Sequence, residues 1–178
     1  MVEFAFSNTF ISLVTSSQIK GRIVEHDDRY EIVTPVSATH VVKLEDGEYC
    51  LGSYERADPP SFTLYTTDLA LAERYVVSAL CDDHREDLHF PSLDFYTMAR
   101  KIKPGFEAFM IKEHYSTLRD THTGNSYPIR IYEFSDRPLK ATRLSHSLTV
   151  PIEELFAAYL DPNGAPLFSE FIEKRPPR

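Results

Sequence analysis

The chain has no tryptophan, two cysteines and six glycines in 178 residues. Cys50 and Cys81 are too few for a disulfide scaffold, form no CxxC and sit beside no histidine at a metal-ligand spacing. The expectation is two buried thiols in a reducing compartment. Dispersed glycines leave no GxGxxG or Walker-type loop to cradle a phosphate, and neither HExxH nor GxSxG occurs. No apolar run nears the roughly 18 residues a membrane span requires. The apolar, Ser/Thr-rich N-terminus carries Glu3 where a secretory signal needs a basic region. A cytoplasmic protein without membrane contact is therefore expected. Positive charge is scarce as well: 19 Lys and Arg against 27 Asp and Glu give a net charge of −8. The densest basic run, ARKIK (99–103), is too short to make a nucleic-acid surface.

What is present is an ordinary globular composition, 42% hydrophobic and 26% charged, enriched in aromatics by ten Tyr and twelve Phe. The length suits one domain spanning residues 1–178, and no repeat or linker divides it. Prolines cluster at DPP (58–60) and in the tail RPPR (175–178), which is expected to fray.

Strand patterns occupy residues 30–66. YEIVT (30–34) is β-branched and alternating. THVVKLEDGEYCLGSYER (39–56) reads as a hairpin turning at Asp46-Gly47, and SFTLYTT (61–67) adds a further strand. Asp68 is a good N-cap for a helix on which Leu69, Ala72, Val76, Ala79 and Leu80 share one apolar arc. Beyond Pro91, FEAFMIKEHYSTL (106–118) and YPIRIYEF (127–134) flank a polar loop as a long hairpin would, and KATRLSHSLTV (140–150) reads as another strand. Pro151 suits the first position of a second helix, with Glu153 and Glu154 at its positive end and Ile152, Leu155, Phe156, Tyr159 and Leu160 on its apolar face. DPNG then stops it. The expected class is α+β: a mainly antiparallel sheet with about two packed helices.

The segment that invites a chemical reading is DDHRED (82–87). Continuing the first helix places Asp83 within the apolar arc and Asp87 nearly in line with Leu69, while Asp82, Arg85 and Glu86 point away. Either the helix stops near Asp82, or Asp83 and Asp87 meet the core edge and need partners. An internal Arg–Asp bridge is one outcome, and an outward patch of Asp82, Arg85 and Glu86 for a partner is the other. Metal binding is disfavoured because consecutive helical residues radiate apart. The seven histidines are scattered, and DPNGAPLFSE (161–170) has its glycine at the fourth position of the run, where a calcium loop needs the sixth. Asp82 and Glu86, four apart, could in principle act as acid and base, but a solvated acidic face is the better explanation. A small enzyme with His84, Glu86 and Asp87 in a pocket is one competing reading, and a protein-binding domain without catalysis another. No cofactor is indicated.

The segment DGEYCLGSYERADPPSFTLYTTD, followed by LALAERYVVSALCDDHREDLHFPSL, resembles the immunity protein 61 family over about residues 45–93. The likeness lies in a strand with ER near its end, then a helix carrying Glu73-Arg74-Tyr75, Asp82-Asp83, Arg85 and Leu88, with Pro91 and Leu93 after it. That family includes the immunity factor for tuberculosis necrotizing toxin. The resemblance implies a non-enzymatic cytosolic antidote that forms a 1:1 complex with a secreted NAD-hydrolysing toxin domain and blocks its active site. It assigns no inhibitory residue, and its motif positions look like fold determinants as much as contacts. An acidic surface speeds encounter with a basic partner. Tyr49, Tyr54, Tyr65, Tyr115, Tyr127 and Tyr132 could supply anchors, although most are expected in the core or on the sheet.

Overall fold

A computed structural model describes residues 4–35, 39–54 and 59–173. The tail 175–178, expected to fray, residues 55–56 of the expected hairpin and Asp58 of the DPP run lie outside the described residues. The fold is α+β. One antiparallel sheet of eight strands has the order β1-β2-β3-β4-β5-β8-β7-β6. Its strands are β1 (Arg22–Glu25), β2 (Arg29–Val33), β3 (His40–Glu45), β4 (Glu48–Ser53), β5 (Ser61–Thr66), β6 (Phe106–Lys112), β7 (Tyr115–Asp120) and β8 (Ile129–Tyr132). The helices are α1 (Asn8–Val14), α2 (Leu69–Asp87), α3 (Phe95–Met98), α4 (Leu139–Leu144) and α5 (Ile152–Leu160). No helix among the described residues is long and apolar enough to cross a membrane.

Local chemistry accounts for the first meander. Asp46 and Gly47 both take positive φ, 51° and 80°, as a two-residue hairpin turn requires. Between β4 and β5 the register shifts at Leu51/Gly52, so that Leu51 faces Leu64 while Gly52 faces Phe62 and Thr63 is the extra residue. The backbones approach so closely there that a Cβ on Gly52 would lie 2.1 Å from the Ser61 carbonyl oxygen.

Register also sorts the two faces of the sheet. Ile23, Ile32, Val42, Leu51, Leu64, Ile131 and Leu118 lie on one face and join the main core cluster. The helices pack on this face, α2 against β4 and β5, and α4 against β6, β7 and β8. α2 is capped by the Asp68 carboxylate, which accepts from the amides of Ala70 and Leu71 at 2.8 and 3.3 Å. It also packs along α5, so it buries more than half its circumference, from Ala72 and Val76 round to Cys81 and Arg85. The expected arc was too narrow because it allowed for one neighbouring layer; Leu69 and Ala79 are only partly buried.

Two expected elements differ. The run 106–118 holds a complete hairpin, β6 and β7, turning at Glu113 and His114, with His114 at φ 61°. The long hairpin is thus three strands. KATRLSHSLTV is not a strand: α4 begins it and turns follow. The buried Glu133 carboxylate accepts from the amides of Lys140 and Ala141 at 2.9 and 3.1 Å, capping α4 from a distance no local pattern reveals. Pro151 stands at the N-cap of α5, one place before its expected position, with Glu153 and Glu154 in the first turn.

Gly52→Ala is expected to lower stability by more than about 2 kcal/mol, because the added methyl meets main chain that cannot yield without disturbing the bulge. Urea unfolding compared with Gly47→Ala, a strained turn position with open space around it, checks this.

Candidate partner-binding surfaces

α2 runs through the acidic segment to Asp87 and ends in a paired-hydrogen-bond cap. The amides of His89 and Phe90 donate to the carbonyls of Glu86 and Arg85, both at 3.0 Å, with His89 left-handed at φ 56°. This geometry aims the six side chains apart.

Arg85 does not point outward as expected. It is 1% exposed, and its guanidinium donates to four main-chain carbonyls: Tyr159 at 2.6 Å, Asp161 and Pro91 at 2.7 Å, and Pro162 at 3.3 Å. Tyr159 and Asp161 sit at the end of α5, where carbonyls lack helical partners and the dipole is negative. Burial lowers the Arg85 pKa, opposed by Asp82 and Asp161. The internal Arg–Asp bridge is replaced by this carbonyl cluster, and Arg85 has no surface to offer a partner.

Asp82, also expected outside, is mostly buried and lines a cavity of about 60 Å³ with Tyr75, Arg143 and Tyr159. Burial pushes its carboxyl up to about 6, opposed by Arg143 and reinforced by Asp83. Asp83 faces His40 at 3.5 Å, while Asp87, expected at the core edge, is exposed. Glu86 alone of the three predicted contacts is fully at the surface. His84 is buried, its Nδ1 without a hydrogen-bond partner, and it shares a cavity of about 380 Å³ with Asp87 and Lys20. Glu86 does not line that cavity, so the His84, Glu86, Asp87 constellation does not assemble. Among the described residues no three His, Cys, Asp or Glu side chains gather as metal ligands. Cys50 and Cys81 are buried free thiols whose pKa values burial raises.

The residues of the ERY triplet each tie α2 to another element. Glu73 accepts from the amide and, at 2.8 Å, the hydroxyl of Ser7 at the start of α1. Arg74 Nε donates to the Val150 carbonyl at 2.9 Å, and the Tyr75 hydroxyl meets Thr63 in the bulge at 2.8 Å. They hold the fold together.

The second surface is the sheet face turned away from the helices. Pairing aligns Lys43, Cys50, Tyr65 and Arg130 across β3, β4, β5 and β8, and Tyr132 with Tyr115 and Lys112 across β8, β7 and β6. Ring centroids run Tyr65–Tyr115 at 6.1 Å, Tyr115–Tyr132 at 5.6 Å and Tyr132–Phe134 at 5.5 Å. Cations lie over these rings: Arg130 4.6 Å from Tyr65, Lys112 4.6 Å from Tyr115 and Lys140 4.2 Å from Phe134. Arg130 also pairs with Glu48, and Arg119 with Glu107. Burial and the neighbouring Tyr115 push the Tyr65 hydroxyl up to about 12. Phe134 is 78% and Ile111 44% exposed. Of the six tyrosines singled out in the sequence, Tyr49 and Tyr127 pack on the core, and Tyr65, Tyr115 and Tyr132 build this ladder. Arg130, which completes it, carries a sequence signal in its alternation between Ile129 and Ile131 that local reading did not use.

The family model described as Immunity protein 61 matches residues 15–167, most of the chain. The chain belongs to the immunity protein 61 family. The match extends well beyond the 45–93 segment that carried the resemblance, into both halves of the sheet. Among solved structures, Rv3902c from M. tuberculosis is similar, with a TM-score of 0.72 and 16% identity over 94% of this chain and 96% of that one. At that identity the likeness is one of fold. No curated protein matches in sequence. Family membership makes this an immunity protein and not an enzyme, and the ERY residues and Arg85 are parts of its scaffold.

Arg85→Ala is expected to cost about 3–5 kcal/mol in urea unfolding, since it strands buried carbonyls and empties a guanidinium-sized space. Asp82 gives a pH signature. Its folded pKa lies above the unfolded value, so the folded state holds the proton more tightly, and its favourable contribution is lost as pH rises from about 4 to 6. Asp82→Asn should abolish that dependence and be more stable than the parent above pH 6 by about 1–2 kcal/mol; parallel unfolding curves at pH 4, 5, 6 and 7 measure it.

Proposed function

We propose that the protein is a cytoplasmic immunity protein that binds an NAD-hydrolysing toxin domain one to one and occludes its active site. The observation that carries this reading is the family match over residues 15–167. The family includes the immunity factor for tuberculosis necrotizing toxin, and the fold likeness to Rv3902c from M. tuberculosis agrees with it. Inhibition by occlusion asks only for a rigid, complementary surface, and a sheet braced by buried polar ties supplies rigidity.

Of Asp82, Arg85 and Glu86, only Glu86 keeps a free side chain outside. We assign Glu86 to long-range attraction together with the net charge of −8, and not to the buried contact. Asp82 acts inside the fold.

The test mixes the protein with the toxin domain encoded beside its gene and follows NAD hydrolysis. Activity should fall linearly to zero at a 1:1 ratio; hydrolysis unaffected by excess protein would sink the reading. Glu86→Lys should slow association by less than about threefold at low salt, with the difference gone at high salt. A tenfold loss that persists in salt would make Glu86 a direct contact.

A further inference from the structure

We propose that the cation-and-aromatic half of the open sheet face, formed by β5, β8, β7 and β6, is the docking surface for the toxin, and that it receives a toxin segment carrying a carboxylate beside an apolar side chain. The inference rests on the reading of the protein as a toxin inhibitor.

Composition is the first argument. Interface centres are enriched in tyrosine, phenylalanine and arginine and depleted in Glu and Asp, and here Tyr65, Tyr115, Tyr132 and Phe134 adjoin Arg130 on a chain that is acidic overall. The end of α2 is richer in acids and offers Phe90 but no ladder of rings. Preorganisation is the second. Each ring is held by its neighbours and most by a stacked cation, so little side-chain freedom remains to be lost on binding. Shape is the third. A depression of about 330 Å³ opens on this face between Phe109, Ile111, Thr117 and Arg130, of a size to accept one anchoring side chain.

Charge decides the partner's chemistry. Arg130 uses one amino group on Glu48, which leaves donors of its guanidinium for an incoming acceptor. Lys112 is exposed over Tyr115, and among the described residues no carboxylate pairs with it. A carboxylate arriving at Tyr115, over which Arg130 lies at 5.6 Å and Lys112 at 4.6 Å, would compete with Glu48 for Arg130 and meet the unpaired ammonium of Lys112, where a charge-assisted hydrogen bond can form. Long-range attraction follows the net charge of the whole chain, whereas the local contact follows this patch, and the two can differ in sign.

The experiment measures Kd and NAD hydrolysis for the toxin domain encoded beside the gene against surface variants of the full chain. Phe134→Ser and Lys112→Glu alter exposed side chains, so folding should be retained, as circular dichroism would verify. Each should raise Kd at least tenfold, and Arg130→Gln should do so as well. Arg22→Glu, at the far edge of the same face, should change it less than twofold. Lys112→Glu should weaken binding more than Lys112→Met; equal losses overturn the carboxylate assignment. If the parent protein inhibits and all three patch variants match it, the surface is wrong. If the parent does not bind, the functional reading falls and this inference with it.

Discussion

Four main-chain carbonyls converge on the guanidinium of Arg85, and the arrangement of the helical layer follows from that convergence. The end of α5, the turn behind it and the segment after α2 each leave carbonyls facing Arg85, that of Tyr159 in a fully buried contact and the others in partly buried ones. One planar cation with five donors answers all of them. Because the carbonyls come from three places in the chain, their common partner fixes the angle at which α5 lies against α2. The same anchoring turns Asp82 inward and Glu86 outward, dividing an acidic run that has no physical unity beyond its sequence.

Buried polar ties recur elsewhere in this fold. Glu73 holds the start of α1, Arg74 the chain before α5, Tyr75 the bulge in β5 and Glu133 the start of α4. Each satisfies groups that would otherwise lose hydrogen bonds on burial. The motif that marks the family is therefore a set of struts between elements. A scaffold of this kind leaves the other face of the sheet free to vary, since hardly any residue there is needed to hold the helices.

That other face is where the chemistry of association concentrates. Its tyrosines and Arg130 brace one another across strands, presenting large rings held in place. Such a surface suits an inhibitor, which must hold one geometry without moving. The end of α2 offers charge and a cavity beside His84 and Asp87, but no ladder of stacked rings and cations.

Much of the architecture was legible in order along the chain. Asp46-Gly47 named its hairpin, Asp68 its helix start, and the alternation of β2, β4 and β5 their strands, because each depends on neighbours within a few residues. The tyrosines of the open face were visible as candidates, though not their grouping. What local pattern could not carry was set by distant partners. The run 140–150 begins as helix α4 and continues in turns because Glu133 caps its start, and the run 106–118 folds on itself because β7 then finds β8. Arg85 lies in the core because carbonyls more than seventy residues away need donors. By itself the sequence determined the class, the acidic balance, the family and the order of most elements, all properties of short-range periodicity and composition. Tertiary structure decided which charges are inside, which face is open and which residues meet on it, because burial and convergence exist only after the chain has closed on itself.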